Sequence, residues 1–150
     1  MKYIEAPNNY EPREGEKVLF PAGGITGCGD WQSELVGMLG NKEVTILNPR
    51  RKHYPDTPEA AKEQIEWEHN HMKKANMVSF WFPNQTLCPI TLYELGKISV
   101  GNQQLFIGID PEYKRKLDVE IQTQLERPAV KIVCSLNELV NQIKEYIDHG

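Results

Sequence analysis

Two glutamates, Glu68 and Glu94, stand where a carboxylate can do chemistry in an alternating α/β chain. Glu94 lies in the stretch Asn84-Gln85-Thr86-Leu87-Cys88-Pro89-Ile90-Thr91-Leu92-Tyr93-Glu94-Leu95-Gly96, directly after the apolar run Met77–Phe82. Pro89 suits the first turn of a helix, where its missing N–H has no intrahelical partner to lose. Glu94 then falls in the second turn, near a helix N-terminus at the end of a buried strand. The helix end is expected to favour its charged form, making it an available nucleophile at neutral pH. Glu68 interrupts an apolar stripe at helical spacing, Ala61, Ile65, Met72 and Ala75. A carboxylate facing the sheet needs a partner or a ligand, unless it snorkels out to a salt bridge at the helix edge. Two acids on neighbouring elements aimed at one pocket favour a functional role.

Other residues around these acids suggest a binding wall. Gly23-Gly24-Ile25-Thr26-Gly27 is a strand-to-helix turn whose backbone N–H groups can approach an anion. It is neither a Walker loop nor G-x-G-x-x-G, and a tight connection explains it as well. Asp30 is a good N-cap for the helix that follows. Trp31, next to the turn, is the best stacking candidate of the three tryptophans, which are otherwise core residues. Arg50 and Arg51 follow Asn48-Pro49 and read either as a solvated basic loop or as contacts to a phosphate or carboxylate. His69 and His71 point about 200° apart on a helix, so they cannot share a metal from one face; no metal centre is expected. Glu66, His69 and Asn70 read as solvent-side residues, and Cys88 as a small loop residue.

These side chains must be positioned by a chain of 150 residues with net charge −4, a length suited to one domain with a single core. The charge provides no global field for nucleic acid. No run approaches the roughly 20 apolar residues of a membrane span. Met1–Asn8 lacks a signal-peptide core, and three dispersed cysteines fit a cytoplasmic protein. Residues 1–16 are expected to form an irregular lead-in or an edge strand. Strands are predicted at 17–22, 44–47, 77–82, 104–109 and 129–133. Helices are predicted at 31–39, 58–75, 89–99 and 136–147, with an amphipathic, helical excursion at 113–125. Short apolar strands alternating with helices argue a three-layer, Rossmann-like or flavodoxin-like sandwich around a five-stranded, mainly parallel sheet.

The succession Ala22-Gly23-Gly24-Ile25-Thr26-Gly27, Asp30-Trp31-Gln32, Asn48-Pro49-Arg50, Trp67-Glu68 and Cys88 through Gly96 resembles the nucleoside 2-deoxyribosyltransferase-like family. The resemblance covers residues from about 17 to 133, and its most specific part is the glutamate followed by Leu-Gly. It implies that Glu94 is a nucleophile attacking C1′ of a nucleoside or nucleotide, forming a glycosyl-enzyme ester that a base or water resolves with retention. It further implies that Glu68 contacts and protonates the leaving base. Gly23, Gly24, Ile25, Thr26, Gly27, Asp30, Trp31, Asn48, Arg50, Thr86 and Cys88 would then hold the substrate. No cofactor is implied, and a homo-oligomer, dimer or higher, is. Two positions depart from the family: Leu19 stands in place of a tyrosine, and Cys88 in place of an acid six residues before Glu94. The alternative is a nucleotide-binding or sensing module that kept the pocket and lost turnover.

Overall fold

The computed structural model describes residues 1–150. In chain order these form β1 (Lys2–Glu5), β2 (Val18–Gly23), α1 (Trp31–Leu39), β3 (Thr45–Asn48), α2 (Pro58–Lys74), β4 (Met77–Phe82), α3 (Pro89–Ser99), β5 (Gln104–Ile109), α4 (Lys116–Glu126), β6 (Ile132–Val133) and α5 (Leu136–His149). Every strand pair is parallel, in the order β1-β3-β2-β4-β5-β6. The protein is therefore α/β, with helices on both faces of one Rossmann-like sheet. No helix is long and apolar enough to cross a membrane.

The sheet has six strands because the lead-in supplies β1 at the edge, paired with β3 from Lys2↔Thr45 to Glu5↔Asn48. Its sequence, Lys-Tyr-Ile-Glu, stays half-exposed or exposed, so it lacks the apolar run that marks the interior strands. An edge strand needs only one neighbour and little burial. Beyond β1 the lead-in is strapped across α2. The Asn8 carbonyl accepts from Trp67 Nε1 at 2.8 Å, and the Tyr10 N–H donates to His71 Nε2 at 3.1 Å. Lys74 Nζ donates to the Tyr10 carbonyl at 3.1 Å. At the other edge β6 is only Ile132–Val133, and residues 129–131 precede it outside the sheet.

Two apolar layers cover the sheet. Phe20, Val78, Phe80, Ile107 and Ile109 pack beneath α2, α3 and α4, meeting Trp67, Leu95, Ile98 and Val119. Leu19, Ile46, Met77 and Phe106 pack beneath α1 and α5, meeting Leu35, Leu139 and Ile143. Interior strands thus alternate between two dry faces, which is why they read as continuous apolar runs. Setting β1 aside, the strand order reverses between β2 and β4, the switch point of a flavodoxin-like sheet. The carboxyl ends of those two strands lead into the Gly23–Asp30 loop and α3.

The helix that carries Glu68 is rotated relative to the apolar stripe read from its sequence. Ala60, Gln64, Trp67, His71 and Met72 are the buried positions of α2, while Ile65 is 66% exposed. Polar Gln64 and His71 can face inward because both have partners. His71 stacks on Trp67 with ring centroids 4.2 Å apart, and its Nδ1 lies 2.9 Å from the Trp67 carbonyl. The N-terminus of α2 forms as expected, with Thr57 Oγ1 accepting from the Ala60 N–H at 3.1 Å and Pro58 in the first turn.

Candidate active site

At the switch point the chain leaves a cavity of about 1240 Å³, walled by the Gly23–Thr26 turn, the loop after β3, α2 and α3. Both acids line it: Glu68 from α2 and Glu94 from α3. Each is half-buried. Glu68 Oε1 accepts from Gln64 Nε2 at 2.9 Å, and the same nitrogen donates to the Pro49 carbonyl at 2.7 Å. No hydrogen bond from the chain reaches the Glu94 carboxyl; its surroundings are burial, the charge of Glu68 and, more weakly, Lys97.

Burial first and the neighbouring Glu68 charge second push Glu94 up to about 8, with Lys97 opposing. Burial likewise raises Glu68, against the Gln64 hydrogen bond. This reverses the expectation that the helix N-terminus keeps Glu94 charged at neutral pH. Glu94 sits in the second turn, past the reach of the first-turn N–H groups, and a dipole's influence fades within one turn. Desolvation and a second carboxylate outweigh it. Near pH 7 Glu94 therefore keeps its proton.

The start of α3 is built from a strained residue. Cys88 adopts φ 50°, ψ 55° at the N-cap and makes no side-chain cap. Such left-handed geometry is costly for a non-glycine residue and tends to collect at functional sites. Thr86 Oγ1 accepts from the Cys88 N–H at 3.3 Å, and Tyr113 Oη donates to the Leu87 carbonyl at 2.7 Å, bracing the loop. The Cys88 thiol is buried and pushed up to about 11, so it stays protonated at neutral pH. A Cβ at Gly24 would meet Cys88 Sγ at 2.8 Å and Cys28 Sγ at 2.9 Å. Glycine is what lets this turn close against α3.

The anticipated binding residues divide into two groups. Gly23, Gly24, Ile25, Thr26, Thr86 and Cys88 line the cavity with the two acids. Gly27, Asp30, Trp31, Asn48 and Arg50 do not; the last four instead hold the wall in place. Trp31 is buried and donates from Nε1 to the Gly24 carbonyl at 2.8 Å, so its ring packs under the turn rather than facing a ligand. Asp30 caps α1 through the Ser33 N–H at 3.1 Å. Asn48 is buried, accepting from the Arg50 N–H at 3.0 Å and donating to Tyr3 Oη at 2.6 Å. Arg50 Nη2 donates to the Ile25 and Cys28 carbonyls at 2.8 and 3.2 Å, and Nη1 lies 3.4 Å from Asp30 Oδ1. Its neighbour Arg51 faces the cavity, with Nη1 3.1 Å from Glu63 Oε1.

Several lining residues were not read as site residues from the sequence. Gln64 and Pro49 line the cavity with the acids, and the exposed side chains of Ile65, Ile90 and Tyr93 add apolar lining. Glu66, His69 and Asn70 are exposed, as expected, and still border the opening. No cluster of three or more His, Cys, Asp or Glu side chains is placed to hold a metal ion.

The family model described as "Nucleoside 2-deoxyribosyltransferase like" matches residues 16–113, from the residue before β2's lead-in to the turn before α4. The chain belongs to that family. A search of curated proteins finds no match. The matched segment of this nucleoside 2-deoxyribosyltransferase-like protein contains both acids, the glycine turn and all of α3. Within it Leu19 is fully buried in the layer beneath α1 and α5, on the other side of the sheet from α3. Asn76 bridges two backbones, donating to the Glu16 carbonyl at 2.6 Å and accepting from the Val18 N–H at 2.9 Å. An aspartate could not make the first of these bonds.

Proposed function

We propose that this protein cleaves or transfers the N-glycosidic bond of a nucleoside or nucleotide, with Glu94 as nucleophile and Glu68 as the acid for the leaving base. The observation that carries this reading is the meeting of two half-buried carboxyls from α2 and α3 in one cavity, close enough that the charge of one raises the other. Such a pair at neutral pH supplies one acid and one base. As the C1′–N bond breaks, its electron pair stays with the base, whose nitrogen takes the proton from Glu68. A Glu94 oxygen lone pair forms the new bond to C1′, and its negative charge favours the oxocarbenium-like transition state. Water or a second base then displaces the ester, with net retention. No cofactor enters this scheme.

The cavity's volume of about 1240 Å³ leaves room for base, sugar and a 5′-phosphate. Arg51 and the turn's N–H groups are the groups that would meet an anion. The apolar surface is lopsided: Ile65, Leu87, Ile90, Tyr93, Val100, Leu117, Ile121 and Leu125 are all exposed on the side of α2, α3 and α4. That face suits a second copy of the chain, giving a homo-oligomer in which a neighbour narrows the cavity mouth. Sedimentation velocity checks this, with a monomer at all concentrations as the contrary result. A cytoplasmic location, consistent with three free thiols, belongs to the same reading.

The test is release of free base from a panel of nucleosides and 5′-monophosphates, with and without an acceptor base. Glu94→Ala should lose about 10³-fold or more, and mass spectrometry should trap a glycosyl adduct on Glu94. Base release by Glu94→Ala at the wild-type rate refutes the assignment. The lack of any hydrogen bond positioning Glu94 favours a second reading, a nucleotide-binding module. Its mark is a nucleotide that raises the melting temperature without turnover.

A further inference from the structure

The reading of Glu68 and Glu94 as an acid and nucleophile pair needs a proton on one carboxyl before substrate arrives, and Gln64 bonds only one of the two. Gln64 lies one helical turn before Glu68 on α2, is buried, and lines the cavity floor. Its side-chain nitrogen faces two acceptors, the Pro49 carbonyl at 2.7 Å and Glu68 Oε1 at 2.9 Å. Its own Oε1 is buried with no partner. Turning the amide would not satisfy this oxygen, because both groups that face the nitrogen are acceptors. Turning here would set that oxygen against the Pro49 carbonyl, which can only accept. The backbone of the loop after β3 therefore fixes the amide with its donors toward Glu68, at the cost of an orphaned acceptor.

We propose that Gln64 is the positioning residue of this pair: tethered by the Pro49 carbonyl, it holds Glu68 as the carboxylate and leaves the shared proton on Glu94 until substrate enters. The geometry of the two acids is unequal in the required sense, because Glu68 receives a donor and Glu94 receives none. The charges facing Glu94 are Glu68 across from α2 and Lys97 on its own helix. Glu66, His69 and Lys73 from α2, Arg51 from the β3 loop, and the Cys88 thiol border the same space. Arg51 Nη1 is paired with Glu63, and no hydrogen bond runs from Arg51 to Glu68. On binding, a base nitrogen near Glu68 and a partly positive C1′ near Glu94 both favour the opposite arrangement. The proton then leaves a Glu94 oxygen for a Glu68 oxygen, which frees the nucleophile and arms the acid in one step.

The experiment titrates the carboxyl carbons of the full-length, substrate-free protein labelled with ¹³C-glutamate, with Glu68→Gln and Glu94→Gln assigning the two resonances. Wild type should show Glu94 titrating with the higher midpoint. In Gln64→Leu the Glu68 midpoint should rise and the Glu94 midpoint should fall, each by about one pH unit, a tenfold change in proton occupancy. Gln64→Met, closer in length, should give the same shifts if the leucine variant folds poorly. Unmoved midpoints in a folded Gln64 variant overturn the proposal, as does a wild type in which Glu68 titrates higher. The measurement needs no turnover, so absence of base release would defeat the enzymatic reading and leave this one standing. Where turnover is found, the pH profile of kcat/KM should shift in Gln64→Met, and an unshifted profile counts against the role.

Discussion

Replacing Glu94 by glutamine should stabilise the protein, and by an amount that depends on pH in a defined way. In the folded chain burial and Glu68 hold this carboxyl at about 8, against an ordinary value of 4.5. Its folded pKa is raised, so between those values the folded state binds the proton more tightly than the unfolded state. Wild-type stability from this group is therefore full below 4.5 and is lost as pH rises through about 8. At 1.36 kcal/mol per pH unit the whole span corresponds to about 5 kcal/mol. Water entering an open cavity screens part of that, and about half, ~2–3 kcal/mol, is the expected difference. For a chain of this size it amounts to about 5–10 °C in melting temperature. Thermal unfolding of wild type and Glu94→Gln in matched buffers from pH 4.5 to 9 isolates the effect, since other groups cancel in the difference. The variant's advantage should grow with pH and level off near pH 8 to 9, bracketing the value of about 8. An advantage that stays flat across this range, or a variant that is less stable at pH 8.5, would refute the electrostatic argument.

Two further outcomes follow from the geometry. Gly24→Ala should lower the unfolding free energy by about 1–3 kcal/mol, because its Cβ meets two sulfur atoms, and adding Cys88→Ala should recover part of the loss; an unchanged denaturation midpoint defeats the close-packing argument. His71 should titrate below its ordinary 6.5, since burial disfavours its charge and its Nε2 already accepts the Tyr10 N–H. The stability it provides is present above 6.5 and is lost as pH falls through the lowered value, so the His71 ring and the Tyr10 amide should shift together in an NMR titration, and independent midpoints would break the link.

Much of this arrangement was legible from residue types. Interior strands declared themselves as apolar runs because both of their faces are dry, and Pro89 marked the start of α3 because only a first turn tolerates it. Both acids were singled out from their positions after strand and within helix, and both line the cavity. The failures have local causes. The stripe through Ala61 and Ile65 misled because Ile65 borders an open cavity while Gln64 and His71 turn inward with partners in hand. Consecutive residues of a loop point in different directions, and nothing in Arg50-Arg51 says which one braces the turn and which faces the opening. Trp31 was drawn under the glycine turn by a carbonyl that only the folded loop presents. The raised pKa of Glu94 comes from burial and from a neighbour 26 positions away in the chain, which no local pattern encodes.

The strap that ties residues 8–10 to Trp67, His71 and Lys74 has a practical meaning for anyone dividing this chain. The family match ends at 16 and 113, yet α2 is clamped from outside those bounds, and α5, which seals the second layer, lies wholly beyond them. A chain trimmed to the matched segment would keep both acids and lose the strap bonded to Trp67, on the helix that carries Glu68. The matched segment is shorter than the six-stranded sheet and the two layers that cover it.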